Sequence, residues 1–149
     1  KERYRLRSSI EKKAIHWAVA ACDPLEIDRL NILWASVRAM HLALDQIPLE
    51  PDMILVDGNR FKPYRSVAHT CVIEGDAIYL SIAAASILAK THRDERMQAL
   101  HQSFPQYGWD TNKGYPTPDH KKALRMYGDC DHHRKSFRWD LPVQGVLFE

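Results

Sequence analysis

The stretch MILVDGNRFKPYRSVAHTCVIEGDAIYLSIAAASILAKTHRDERMQAL, residues 53–100, decides the fold. Met53 to Val56 is a short, wholly apolar run, which suits a strand covered on both faces. It stops at Asp57-Gly58. Asn59 to Ser66 is polar and basic and reads as a loop. Val67 to Ile73 reads as a second strand, ending at Glu74-Gly75-Asp76. From Ser81 to Leu100 the pattern is helical. Its first half carries Ala83, Ala84, Ala85 and Ser86, small side chains that let a helix lie close to a sheet. Its second half is charged and reads as solvated.

Working outward, residues 2 to 13 read as a charged helix with Leu6 and Ile10 on one side. Ala14 to Ala21 alternates, with Ile15, Trp17 and Val19 on one face, and reads as a strand that Asp23-Pro24 breaks. A helix from about Ile27 to Gln46 follows from the spacing of Leu30, Leu33, Val37, Met40 and Leu44, and Pro48 and Pro51 end it. On the other side, Phe104 to Pro116 reads as a loop rich in Gly, Pro and aromatics. Thr117 and Pro118 open a last helix and Gly128 closes it. From Asp129 the chain is basic and irregular. Interleaved strands and helices make the class α/β. Three strands are few for such a sheet, and the opening KERYRLR reads like the inside of a helix, so further residues are expected upstream.

The chain has 149 residues, 45% hydrophobic and 27% charged, with a net charge of +2. These values fit one globular domain with a real core. So weak a positive charge neither requires nor excludes a nucleic-acid partner. Cys22, Cys71 and Cys130 are odd in number and widely spaced, which argues against a disulfide framework and a thiolate zinc site and for a reducing cytoplasm. No apolar run is long enough to span a membrane. There is no P-loop, nucleophile elbow or dinucleotide-binding glycine motif.

Asp57 and Asp76 are the best candidates for chemistry. Each stands where an apolar strand runs out, and α/β folds build sites at strand ends. Two carboxylates there can converge on a hard divalent cation. Spacing alone leaves open the reading as turns, since Asp-Gly is a common tight-turn pair. His132-His133 lacks a further ligand at metal spacing and reads as part of a basic surface. Cations gather late: Lys121, Lys122 and Arg125 on one helix, then Arg134, Lys135 and Arg138 among Phe137 and Trp139. Lys113-Gly114-Tyr115 adds a lysine beside an exposed aromatic. Cations with aromatics suit phosphates, sugars and bases; a plain solvated face is the alternative.

Taken together, EIDRLNIL (26–33), ILVDGNR (54–60), EGDA (74–77), SIAAASILAKTHRD (81–94), FPQYGW and NKGYPT (within 104–117) and HRKSF (133–137) resemble bacterial ribonuclease HII. They occur in that family's order and cover nearly the whole chain. The resemblance implies an RNase H-like α/β fold, a mixed sheet flanked by helices, with a helical C-terminal extension. Residues 1–149 would form one catalytic domain, truncated at its N-terminus, and about 117–149 the substrate-contacting extension. It implies an endonuclease acting on RNA–DNA hybrids and on ribonucleotides embedded in duplex DNA, with Mg²⁺ or Mn²⁺ held by four acidic residues. Asp57 matches the third and Asp76 the fourth. Tyr115 matches the tyrosine that packs on the sugar at the RNA–DNA junction, with Lys113, Arg134 and Lys135 as further substrate contacts. Gln144, Leu147 and Phe148 resemble a peptide that docks on the bacterial sliding clamp; an apolar tail packed on its own domain is the alternative.

Two departures stand out. The family's opening strand, with Asp-Glu and Gly-Arg-Gly, and its Asp-Ser-Lys segment have no match here. Two metal ligands are therefore expected outside these residues, and the 149 residues alone are expected not to cleave. They are also expected to leave a sheet edge and an apolar face uncovered. Ile78 stands where the family has Lys or Arg. The competing readings are a non-catalytic nucleic-acid-binding module and another RNase H-like nuclease such as a junction resolvase.

Overall fold

The computed structural model describes residues 2–137. Its sheet consists, among the described residues, of two parallel strands, β1 (Met53–Asp57) and β2 (Ala68–Val72). Met53 lies opposite Ala68 and Asp57 opposite Val72. Ile54 and Val56 are buried against Tyr64 and Val67, which belong to the loop that carries the chain back between the strands. Parallel neighbours need such a crossover. Here it is an irregular one, pinned by the Tyr64 hydroxyl, which donates to Asp45 Oδ1 at 2.8 Å. Because the strands are parallel, both C-terminal ends reach the same edge.

Among the described residues six helices accompany the sheet: α1 (Glu2–Lys13), α2 (Pro24–Leu44), α3 (Gly75–Ile78), α4 (Leu80–Ser103), α5 (Trp109–Asn112) and α6 (Pro118–Tyr127). α1 packs on α4, where Arg7 bridges Glu11 at 2.6 Å and Glu95 at 2.7 Å. The start of α4 lies against β1 and α3, with Ile82 buried there.

α2 begins at Pro24, earlier than its apolar spacing suggests. Asp23 caps it: the Asp23 carboxylate accepts from the Glu26 amide at 2.7 Å, and the Glu26 carboxylate accepts from the Asp23 amide at 3.3 Å. This reciprocal box fixes the first turn. The helix breaks at Asn31, where φ is 63°. Asn31 Oδ1 then accepts from the amides of Leu33 at 3.0 Å and Trp34 at 3.2 Å, recapping the remainder. Asparagine tolerates this left-handed backbone better than most residues. The apolar spacing runs through the break without registering it.

Two readings need correction. Ala14 to Ala21 is not a strand. Its alternation is real, but no described strand lies alongside it, and a strand is made by its ladder rather than by its pattern. Ile15 is 88% exposed, so the alternating face is not buried as a unit. Trp17 packs instead beside His92 of α4, ring centres 5.6 Å apart. Phe104 to Pro116 is likewise not a plain loop. It holds a 3₁₀ turn (Pro105–Tyr107) and α5, and its aromatics form a second core. Tyr107 and Trp109, 3% and 2% exposed, pack on Ala123 and Leu124 of α6.

α6 matches its reading: Thr117 accepts from the His120 amide at 3.3 Å, and Gly128, at φ 74°, ends it. Beyond it, His133 belongs to the second core rather than to a basic surface. Its ring stacks on that of buried His120 with centres 5.4 Å apart, and its Nδ1 accepts from the Cys130 amide at 3.1 Å. Burial, then the neighbouring His120, pushes its pKa down. His132 remains exposed. All three cysteines are free. Among the described residues, no helix is long and apolar enough to cross a membrane. Met53, Ile73 and Leu80 are 56%, 69% and 87% exposed.

Candidate functional site

Asp57 closes β1 and lies in solvent at the common strand edge. Gly58, at φ +101°, turns the chain away, and its amide donates to Val72 O at 2.8 Å, which ties the two strand ends together. After β2 the chain swings through Glu74, whose backbone is left-handed at φ 53°. It then drops onto the strand ends at Gly75. A Cβ on Gly75 would lie 2.6 Å from Ile82 Cδ1 and 3.3 Å from Val72 Cβ. Only glycine lets α3 sit this close. The Gly75 amide donates to Asp57 Oδ1 at 3.0 Å. Asp76, also exposed, is the next residue. One carboxylate is thus oriented by the amide that immediately precedes the other.

This pair suits a hard cation. Neither carboxylate is in an ion pair with a described residue. One Asp57 oxygen is engaged by the Gly75 amide and the other is free of that bond. Mg²⁺ takes oxygen ligands and is commonly held by one or two carboxylates with water and phosphate. No group of three His, Cys, Asp or Glu suited to a metal occurs among the described residues. Ile78, two residues on, is 64% exposed and offers no charge.

Lys113, Tyr115, Arg134 and Lys135 come together elsewhere, in the lining of one cleft of about 860 Å³. Asp57 and Asp76 are not part of that lining. The Lys113-Gly114-Tyr115 turn follows α5. Lys113 and Gly114 are left-handed, at φ 50° and 81°, and Asn112 Oδ1 accepts from the Gly114 amide at 2.8 Å. Arg93 of α4 clamps this turn. One guanidinium nitrogen donates to Lys113 O at 3.0 Å and another to the Tyr115 hydroxyl at 3.3 Å. Its central carbon stands 4.9 Å from the centre of the Tyr115 ring, a cation–π contact. Tyr115 is 58% exposed, so it is held in place yet remains accessible.

Arg134 lies over the Phe137 ring, 3.6 Å from its centre. Burial and then the Arg93 charge lower the Arg134 pKa, while Asp28 opposes them. Two guanidinium groups near one another in a cleft favour an anion between or beside them. The Asp28 carboxylate accepts from the Lys135 amide at 2.7 Å and from the Ser136 amide at 3.0 Å. The Ser136 hydroxyl donates to it as well, and is the largest cause of its lowered pKa, followed against burial by the Ser136 and Lys135 amides and the Arg134 charge.

Arg93 and Asp28 are the residues that sequence reasoning missed. Both fall inside stretches singled out above. Their partners lie 20 to 22 and 107 to 108 positions away, and no local signal announces such pairs. Gln144, Leu147 and Phe148, with Arg138 and Trp139, lie outside the described residues.

Comparison with known proteins follows the same lines. The family model described as Ribonuclease HII matches residues 2–140. The Ribonuclease HII of Porphyromonas gingivalis is 54% identical over 138 residues, 93% of this chain and 69% of that protein. That of Parabacteroides distasonis is 54% identical over 147 residues, 99% and 73% of the two chains. That of Cytophaga hutchinsonii is 46% identical over 149 residues, again 99% and 73%. Among solved structures, the ribonuclease H2 from Pyrococcus horikoshii OT3 superposes with a TM-score of 0.76 at 25% identity, covering 93% of this chain and 72% of that one. The likeness establishes the RNase H-like architecture behind the small parallel sheet. With a match along nearly all of its length and an acidic pair at the strand ends, the chain belongs to the ribonuclease HII family.

Proposed function

We propose that this chain serves an endonuclease that hydrolyses the RNA strand of RNA–DNA hybrids and cuts at ribonucleotides embedded in duplex DNA, by two-metal-ion hydrolysis leaving a 5′-phosphate and a 3′-hydroxyl. The observation that carries the reading is the Asp57–Gly75–Asp76 arrangement in a member of the ribonuclease HII family. Mg²⁺ or Mn²⁺, when bound, supplies charge relief on the phosphate and an activated water. Asp57 and Asp76 would hold it, and the Gly75 amide keeps Asp57 from turning away. Tyr115 offers one ring face to the sugar at the RNA–DNA junction while Arg93 occupies another side of the ring. Lys113, Arg134 and Lys135 take backbone phosphates, which position a duplex without reading its sequence. Discrimination rests on the 2′-hydroxyl. The cytoplasm, a reducing compartment, suits three free cysteines, and repair of misplaced ribonucleotides is the corresponding task.

The test is a DNA duplex carrying one ribonucleotide, incubated with the intact protein in Mg²⁺. The expected product is a nick on the 5′ side of the ribonucleotide, absent in EDTA. The alternative outcome, a binding module without catalysis, would be established by tight binding with no nick. Tyr115→Ala is expected to lower the preference for the single ribonucleotide over a pure RNA–DNA hybrid roughly tenfold, the size of one aromatic stacking contact. An unchanged preference would remove Tyr115 from the substrate site. Docking of Gln144, Leu147 and Phe148 on the sliding clamp is part of the same proposal. Phe148→Ala is expected to abolish clamp pull-down, and an intact protein that never binds clamp would end that reading.

A further inference from the structure

We propose that Asp28 is a positioning residue for nucleic-acid binding: its carboxylate docks the backbone of the Arg134–Phe137 turn on α2 and so sets the Arg134 and Lys135 cations at the cleft. The inference rests on the reading of those two residues as phosphate contacts.

The platform is rigid for local reasons. Asp28 lies on the first segment of α2, which the Asp23–Glu26 capping box fixes at one end and Asn31 terminates at the other. The docked piece has little structure of its own. It comprises two consecutive turns, closed by the His133 amide donating to Cys130 O at 2.8 Å and the Phe137 amide donating to Arg134 O at 3.3 Å. Asp28 accepts the two central amides of the second turn, one on each carboxylate oxygen, and the Ser136 hydroxyl besides. A carboxylate, which only accepts, matches three converging donors. Asp28 forms no direct ion pair with a described residue, so its hydrogen bonds go to backbone and hydroxyl while the Arg134 charge acts on it only through space. Arg134 is left free to lie over Phe137 in the cleft that Arg93 also lines, and Lys135 is exposed to solvent.

This role makes a prediction of unusual sign. Removing a negative charge from a surface that binds polyanions should strengthen binding by plain electrostatics. If Asp28 positions the cations, its loss weakens binding instead. Asp28→Asn is the suitable variant, since with little change of volume it turns one of the two accepting oxygens into a donor that faces a donor, so the three-donor docking can no longer be satisfied. The measurement is the affinity of the intact protein for a short RNA–DNA hybrid duplex in EDTA, followed across salt concentration, with thermal melting alongside. The expected result is weaker binding and a salt slope shallower by about 1 to 2, the loss of one or two phosphate contacts. Asp28→Glu should recover part of both. In the Arg134→Ala/Lys135→Ala background, Asp28→Asn should add nothing. Unchanged or tighter binding by Asp28→Asn, with an unaltered slope, would overturn the proposal even if the variant melts lower. If Arg134→Ala/Lys135→Ala itself leaves the slope intact, the phosphate reading of those residues fails, and the proposal with it.

Discussion

Asp57→Asn is expected to abolish cleavage of a hybrid while leaving its binding close to that of the parent protein. The substitution is nearly isosteric. Its Oδ1 still accepts from the Gly75 amide, which in the parent lies 3.0 Å away, so the contact between β1 and α3 survives. What is lost is the negative charge and one oxygen donor for a hard cation. Metal-based charge stabilisation contributes several kcal/mol to such a reaction. Losing about 4 kcal/mol of it corresponds to a roughly thousandfold lower rate. Under the proposed function binding follows other residues, since Lys113, Tyr115, Arg134 and Lys135 line a cleft to which Asp57 does not contribute. Single-turnover cleavage in Mg²⁺, with hybrid affinity measured in parallel, checks both halves. Turnover near that of the parent would mean that Asp57 is only a turn residue.

Gly75→Ala is expected to cost both stability and activity. The added methyl meets Ile82 Cδ1 at 2.6 Å and Val72 Cβ at 3.3 Å. Ile82 is buried, 5% exposed, and has little room to rotate, while the Val72 contact is to the stem of a strand side chain. Overpacking of this kind typically costs about 1–3 kcal/mol. For a chain of this size that is a fall in Tm of roughly 2–4 °C per kcal/mol. Relief comes by lifting α3, which lengthens the Gly75–Asp57 hydrogen bond and moves Asp76 relative to Asp57. Ile82→Val removes the methyl in closest conflict. It should be destabilising alone, by about 0.5–1.5 kcal/mol, yet partly restore the Gly75→Ala protein. A double-mutant cycle from thermal melts reads this coupling. Strict additivity would show that the close approach at Gly75 is unimportant.

These two residues illustrate what a sequence makes legible. Asp57 and Asp76 stood out because apolar runs ending in a carboxylate are local patterns, and because β1 and β2 lie within one continuous stretch. What brings them together is not legible there. Gly75 reads as an ordinary turn glycine, and only the packed structure shows Ile82 and Val72 closing over it. The same distinction explains the misreadings. Ala14 to Ala21 has a strand's alternation without a described neighbour to pair with. Asn31 breaks a helix whose apolar spacing continues past it, because spacing records side chains and not φ. Tyr107 and Trp109 sit among Gly and Pro as loop residues do, yet α6 supplies the surface that buries them. Arg93 on Tyr115 and Asp28 on Lys135 depend on distant parts of the chain meeting, which no window of sequence contains.

The most direct measurement is anomalous diffraction from crystals of the intact protein bound to an RNA–DNA hybrid in Mn²⁺. A manganese peak is predicted about 2.1 Å from carboxylate oxygens of both Asp57 and Asp76. Manganese bound with the hybrid in place, but coordinated by neither aspartate, would contradict the assignment of these strand ends as the metal site.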